Sequence, residues 1–443
     1  MTVINNKLSF WMTKTIGDYC LVGDGAHASI KRQPTGIMYL TSKNFKRGGL
    51  DLSKVDYISE EDYQKYFRDN SKALTKPQID DVLFSIIGTI GEPYLYKTQD
   101  KFGLSSSVSI LRPNKSVIYP KYLYYWINGY IFQDALYSIK GGVAQSYVSL
   151  EMIKSLPLYY PPQPTQKKIA SILSNYDDLI ENNTRRIKIL EEMAQTLYNE
   201  WFVKFRFPGH EQVKMVESEL GLIPEGWEVV KLGDVAQVIS GFAFKSTDFK
   251  EEGIPIIKIK NIRIGTVDFS DVQYVDDKFL LKLNQKYHVK KGELLISLTG
   301  SHLTQPNSVV GRVAINFKGK ELSLLNQRAG KIIIKDIYKC SIPYLFYLLS
   351  SEEKSRSIAL MASGAASQAN VSPTQIESLN LILPISKIMN LFYQFISPIF
   401  EQISNLEIKN INLRKTRDLL LPKLISGEID VENLEIDTVE IAA

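Results

Sequence analysis

Ile169, Leu173, Tyr176, Ile180, Asn183, Ile187, Leu190, Ala194, Leu197 and Trp201 follow one another in unbroken steps of four and three. Phe392, Ile396, Ile399, Ile403, Leu406, Asn410, Leu413, Arg417, Leu420 and Leu424 do the same, each 223 residues after its counterpart. Such a heptad alternation is the seam of a coiled coil. Each helix of about 33 residues would be about 50 Å long. Pro164 suits the first turn of the first helix, whereas Pro398 inside the second pattern predicts a kink or a later start.

Connectivity sets the direction. The block between the helices is entered from the end of the first and left into the beginning of the second, so a compact block brings those two ends together and the helices run antiparallel. A flush antiparallel register then places Ile169 opposite Leu424, Trp201 opposite Phe392, and Asn183 opposite Asn410. Facing asparagines in an apolar seam fix register at some cost in stability. The alternative is that both amides face solvent. The seam residues Leu173, Ile180, Asn183, Ile187, Leu190, Ile399, Ile403, Leu406, Asn410 and Leu413 are the expected helix contacts.

Outside the seams the chain is also written twice. Trp11 and Ile16-Gly17-Asp18 return as Trp227 and Leu232-Gly233-Asp234, while Gly36-Ile37 and Lys43-Asn44 return as Gly253-Ile254 and Lys260-Asn261. Gly141, Gln145, Val148-Ser149, Ile153 and Ser155-Leu156 return as Gly364, Gln368, Val371-Ser372, Ile376 and Ser378-Leu379. The runs Val82 to Gly88 and Leu294 to Gly300 read as strands ending in glycine, and short helices are expected at Pro120 to Tyr130 and Pro343 to Ser350. The reading is α+β: two similar domains separated by an antiparallel two-helix coiled coil, with a pseudo-two-fold internal repeat. Its boundaries are a first domain at 1–160, a first helix at 161–205, a linker at 206–225, a second domain at 226–385, a second helix at 386–425 and an acidic tail at 426–443.

Composition narrows the function. The 443 residues are 44% hydrophobic and 23% charged, with 18 Pro and 26 Gly, which excludes a disordered or fibrous chain. Cys20 and Cys340 cannot make a disulfide framework, and four scattered histidines do not make a zinc cluster, so no metal site is expected. Nowhere do 18 consecutive apolar residues occur, so the expectation is a cytoplasmic chain with no membrane partner. The net charge of +5 divides into +5 for 1–160, −2 for 161–225, +5 for 226–385 and −3 for 386–443. Two basic heads held apart by an acidic rod suit a ligand with two sites at a fixed spacing, as duplex DNA offers every roughly 34 Å.

Three groups of residues are candidates for contact with double-stranded DNA. The first is the repeated Gly-x-x-x-Gln segment, with Lys140, Gly141, Gln145, Ser146 and Tyr147 in copy one and Ser363, Gly364, Ser367, Gln368 and Asn370 in copy two. Small residues let backbone N–H groups approach phosphate, and Gln can pair with the edge of adenine. The second is the cationic loop, with Lys43, Asn44, Lys46 and Arg47 in copy one and Lys260, Asn261 and Arg263 in copy two. Arg suits guanine's O6 and N7, whereas Lys more often meets phosphate. The third is Thr299, Ser301 and His302 after a strand end. The plain alternative for each is a solvated turn.

Trp201-Phe202-Val203-Lys204-Phe205-Arg206-Phe207-Pro208-Gly209, followed by Leu220-Gly221-Leu222-Ile223-Pro224-Glu225-Gly226-Trp227, resembles the central junction of the specificity (S) subunits of type I restriction-modification enzymes. Leu421-Pro422-Lys423-Leu424-Ile425-Ser426-Gly427-Glu428-Ile429 resembles their C-terminal signature. One departure is that the family's glutamine before the helix is Gln166 in copy one but Met389 in copy two. The resemblance implies a non-catalytic DNA reader whose two target recognition domains each read half of a split, asymmetric sequence. It implies two methyltransferase (M) subunits on the helices, carrying S-adenosylmethionine, and restriction (R) subunits using ATP and Mg, with no cofactor on this chain. Off the seams, Ile172, Ile189, Met193, Ile408 and Ile411 are the positions expected to face a partner.

No catalytic residue is assigned. The chain lacks Gly-x-Gly-x-x-Gly and the phosphate-binding Gly-x-x-x-x-Gly-Lys-Ser/Thr. Tyr160-Pro161-Pro162-Gln163 is similar to the amino-methyltransferase element Asn/Asp-Pro-Pro-Tyr/Phe but lacks its polar first and aromatic last residues. Asp276-Asp277-Lys278 matches only the end of a nuclease pattern. Two other readings stay open at this point: a self-sufficient DNA methyltransferase or nuclease, and a two-headed protein-binding scaffold.

Overall fold

The structure, a computed structural model, describes residues 11–69, 73–139, 147–300, 310–318, 322–365 and 368–436. It divides into two compact units. One comprises Met1–Ile180 with Asn412–Ala443, and the other Glu181–Ile411.

In the first unit, strands Cys20–Asp24, Val108–Pro113, Val82–Ser85 and Pro93–Leu95 form an antiparallel sheet in that order. Val82–Ser85 is buried along its whole length, which is why Val82, Leu83 and Phe84 are all apolar instead of alternating with polar residues. A second sheet places Ile37–Leu40 between Asp56–Ile58 and Phe102–Leu104. Met12–Thr15 pairs with Pro157–Tyr160 and closes the base of the unit.

The second unit repeats this order. Ala236–Ser240, Ala329–Ile334, Leu294–Ser297 and Val313–Ile315 lie side by side, with Gly265–Thr266 added at the edge. Even the register recurs: Val108 opposes Ser85 and Leu111 opposes Val82, as Ala329 opposes Ser297 and Ile332 opposes Leu294. Glu228–Lys231 with Asn380–Leu383 closes this base.

The repeated short motifs build these bases. Asp18 accepts the Thr15 N–H at 2.8 Å, and Asp234 accepts the Lys231 N–H at 2.9 Å, so each caps a one-turn helix. Gly17 and Gly233 precede them because a Cβ there would lie 3.0 Å from the Cβ of Lys154 or 3.2 Å from that of Glu377. Ser149 and Ser372 cap the opposing helices Leu150–Lys154 and Pro373–Glu377 through the N–H groups of Met152 and Gln375.

The first long helix spans Gln163–Tyr198 and ends in a π-helical turn, Asn199–Val203. The second spans Ser386–Ile425. It starts at Ser386 and runs on through Pro398, so the later start expected as one alternative is not seen. Phe392 and Ile396 are fully buried, and their packing outweighs the one backbone hydrogen bond that proline cannot donate.

The helices meet in opposite sense within each unit. In the first, Ile169 and Leu173 share a core with Leu424 and Ile425. In the second, Trp201 lies 5.9 Å from Phe392, ring centre to ring centre, and Asn183 Nδ2 donates to Asn410 Oδ1 at 2.9 Å with both residues buried. Ile187, Ile403 and Leu406 are buried in the same core as Trp201 and Phe392, and Leu190 and Ile399, partly buried, pack against that core. Ile180 and Leu413 are half-buried.

The junction motif is core rather than tether. Phe202 stacks edge-on to Phe392 and Tyr344, and Phe207 stacks on Trp227 at 5.1 Å. The segment read as a linker carries a hairpin, Met215–Ser218 with Gly221–Pro224, and buries Phe207 and Ile223. In the acidic tail Val431 is buried in the first unit. Among the described residues no helix is long and apolar enough to cross a membrane.

Candidate nucleic-acid interface

Each head projects the same small hairpin from the end of the same strand. After Ile37–Leu40 the chain makes a 3₁₀ turn, Ser42–Asn44, then Phe45–Lys46 pairs back on Gly49–Leu50. After Ile254–Ile257 it makes a turn, Ile259–Asn261, and Ile262 pairs with Val267.

Asn44 and Asn261, read as DNA contacts, are instead the frame of this hairpin. Both are buried, at 6% and 2% exposure. Asn44 Oδ1 accepts the Thr41 N–H at 3.0 Å, and its Nδ2 donates to the carbonyls of Asp51 and Lys54 at 3.1 and 3.0 Å. Asn261 repeats each bond, to Lys258, Asp268 and Asp271, at 3.0, 3.0 and 3.1 Å. A buried amide spent on three backbone groups has no reason to leave them.

Sequence reading also missed the next layer. Asp51 accepts both the N–H and the hydroxyl of Ser53, at 3.0 and 2.6 Å, and those bonds hold its carboxyl below the usual range. Asp268 does the same with Ser270 at 2.9 and 2.7 Å. Burial opposes its ionisation, but the Ser270 bonds and Arg263 still keep its pKa low. The shared spacing Asn-x₆-Asp-x-Ser was the available signal.

On this frame the cations are outward. Lys43 and Lys46 are exposed and form no ion pair among the described residues. Arg47 meets Asp418 at 3.2 Å while 79% exposed. Lys260 pairs with Asp271 at 2.7 Å and Arg263 with Asp268 at 3.5 Å. Exposed pairs of this kind are worth at most about 1 kcal/mol, so a phosphate can displace the carboxylate.

The residues that follow the Gly-x-x-x-Gln segment pair with the adjacent strand end in both heads. The Val148 N–H donates to the Ile86 carbonyl at 3.0 Å, with Tyr147 bridged to Ile87. The Val371 N–H donates to the Leu298 carbonyl at 2.9 Å, with Asn370 paired to Thr299. Tyr147, Asn370 and Ser363 are exposed, and Gly364 and Gln368 sit at paired strand positions. Thr299 is buried and donates its hydroxyl to Asn370 Oδ1 at 2.7 Å. It positions Asn370 instead of facing outward as expected. Lys140, Gly141, Gln145, Ser146, Ser301, His302 and Ser367 lie outside the described residues.

Hairpin and strand end converge. Gly88, in the left-handed region at φ 77°, closes the turn beside Ser42, and a Cβ there would lie 3.9 Å from the serine hydroxyl. In the second head the Arg312 guanidinium donates to the Ile262 carbonyl at 3.4 Å. Among the described residues no group of three His, Cys, Asp or Glu side chains is placed to hold a metal.

This chain is similar to the specificity subunit of the type I restriction enzyme MjaIX from Methanocaldococcus jannaschii, at 29% identity over 96% of this chain and 94% of that one. It is 27% identical to the MjaVIII specificity subunit of the same organism, over 86% of each. Its fold is like that of the S subunit of the type I restriction-modification system from M. genitalium, with a TM-score of 0.57 at 14% identity, covering 96% of this chain and 97% of that one. The pattern of the type I restriction modification DNA specificity domain matches twice, at residues 9–192 and 224–415, and the chain belongs to that family.

Proposed function

We propose that this chain is the sequence-reading subunit of a type I restriction-modification complex, each head reading one half of a bipartite, asymmetric DNA site. The observation that carries this is a constant frame with a variable tip. Asn44, Asp51 and Ser53 recur atom for atom as Asn261, Asp268 and Ser270, while the tip between them is Lys46-Arg47-Gly48-Gly49 in one head and Arg263-Ile264-Gly265 in the other. A shared scaffold with different cationic ends is what two different half-sites require.

On this reading the chain is not itself catalytic. The helices dock two methyltransferase subunits that bind S-adenosylmethionine, and restriction subunits add ATP and Mg. Ile189, Met193 and Ile411 are exposed and available for such docking, whereas Ile172 and Ile408 are half-buried. The test is DNA affinity of the chain assembled with its methyltransferase subunits. Binding should weaken steeply with salt as counterions are released, and should prefer one split sequence. Exchanging residues 45–50 for a relative's hairpin should alter one half-site alone. Methylation or cleavage by the purified chain alone, or binding without sequence preference, would overturn the reading.

A further inference from the structure

The loops that follow the two central strands differ in length, and yet they land on the same bonds. In the first head the chain leaves Ser85 and returns at Glu92, whose N–H donates to Ser85 Oγ at 3.2 Å while its carbonyl accepts the Ser85 N–H at 3.3 Å. In the second it leaves Ser297 and returns at Arg312, with the corresponding bonds at 3.1 and 2.9 Å. The residue before it repeats too: the Gly91 N–H donates to the Ser85 carbonyl at 2.8 Å, and the Gly311 N–H to that of Ser297 at 2.9 Å. Glu92 and Arg312 therefore occupy one structural position, with opposite charge.

Both side chains are half-buried, and neither makes an ion pair among the described residues. Each lies beside the cationic hairpin. Burial raises the pKa of Glu92 while Arg47 and Lys46 oppose the rise; burial lowers that of Arg312, and Arg263 adds to it. Within its own head the Arg312 guanidinium reaches the Ile262 carbonyl at 3.4 Å, but neither Arg312 nor Glu92 has its charge neutralised by an ion pair among the described residues. A position meant for phosphate would carry a cation in both copies. A carboxylate there is useful only against a hydrogen-bond donor, and in the major groove the donor it suits is the amino group of cytosine; a guanidinium suits guanine.

Resting on the DNA-reading function proposed above, we infer that this position determines specificity in each head: Glu92 accepts from a cytosine amino group in one half-site, and Arg312 donates to guanine in the other. The experiment is selection of bound sequences from a randomised duplex library by the full chain assembled with its methyltransferase subunits. Glu92→Gln keeps the shape and should move one base preference in the first half-site from cytosine towards adenine, with cognate affinity falling roughly ten- to a hundred-fold. Arg312→Gln should erase one guanine preference in the second half-site. Each variant should leave the other half-site untouched, and thermal unfolding of each should match the parent.

A uniform change in affinity with every base preference intact would overturn the inference while leaving the DNA-reading function standing. Tighter binding of Glu92→Gln to all sequences would mark the carboxylate as mere repulsion and would overturn it equally. A parent complex with no sequence preference would instead sink the function on which the inference rests.

Discussion

The two bases have the same backbone and opposite chemistry. In the first unit Gln166 is fully buried; its Oε1 accepts the Tyr119 N–H at 2.8 Å, and its Nε2 donates to the carbonyls of Val117 and Pro161, both at 2.9 Å. At the matching place Met389, equally buried, accepts only the Ser341 hydroxyl at 3.3 Å. Further along the seam, Arg417 donates to Asp177, whose other oxygen accepts the Tyr125 hydroxyl at 2.5 Å. The matching places in the second unit hold Ala194 and Phe400, and Phe400 packs on Phe317 and Tyr347 at 5.5 and 6.1 Å. At these matching places the first unit uses directional bonds and the second uses apolar packing. Duplicated frames thus drift in chemistry while their register stays.

The largest expected effect tests the glutamine. Gln166→Leu takes the partner from one buried and two partly buried backbone groups and should destabilise the first unit by roughly 3 kcal/mol, whereas Met389→Leu should cost under about 1.5 kcal/mol. Hydrogen exchange read separately for the two units checks this, and equal costs would break the comparison. Next is Arg417→Ala, which strands a carboxylate and should cost about 2 kcal/mol, less than a fully buried pair because Arg417 and Asp177 are 16% and 28% exposed. Arg417→Met should recover part of that by filling the space, and denaturation midpoints decide the order.

The asparagine pair sharpens the seam. Asn183→Leu alone should cost about 1 kcal/mol by leaving the Asn410 amide short of a partner, while replacing both by Leu should stabilise the helices and loosen their register. A double replacement as damaging as the single would show that the amides do more than specify alignment. The smallest effect is chemical. Burial above all, aided by Asp81 at Cys20, pushes both thiols up to about 12, so neither Cys20 nor Cys340 should react with a thiol reagent at pH 8 until the chain unfolds. Rapid labelling of one alone would reveal a base that opens.

The helices were legible because a heptad seam is periodic and each position repeats. The duplicated motifs were legible too, but their job was not. An asparagine beside a lysine in a loop reads alike whether its amide points in or out, and Asn44 and Asn261 point in. Pro398 misled only as to where the helix starts, because local propensity cannot register the burial of Phe392 and Ile396 before it. The correspondence of Glu92 with Arg312 was hidden by loops of different length, and the hydrogen bonds of Ser85 and Ser297 realign the two copies.

Because one unit is assembled from Met1–Ile180 and Asn412–Ala443 while the other is the uninterrupted Glu181–Ile411, synthesis and folding run out of order. Domains generally fold as units while the ribosome is still elongating the chain. The unit that begins first must wait for Leu424, Ile425 and Val431 to fill its core, so it closes only after the whole of Glu181–Ile411 has been made. A message that stopped just after the codon for Ile411 would thus release a protein with one unit complete and the other left ajar.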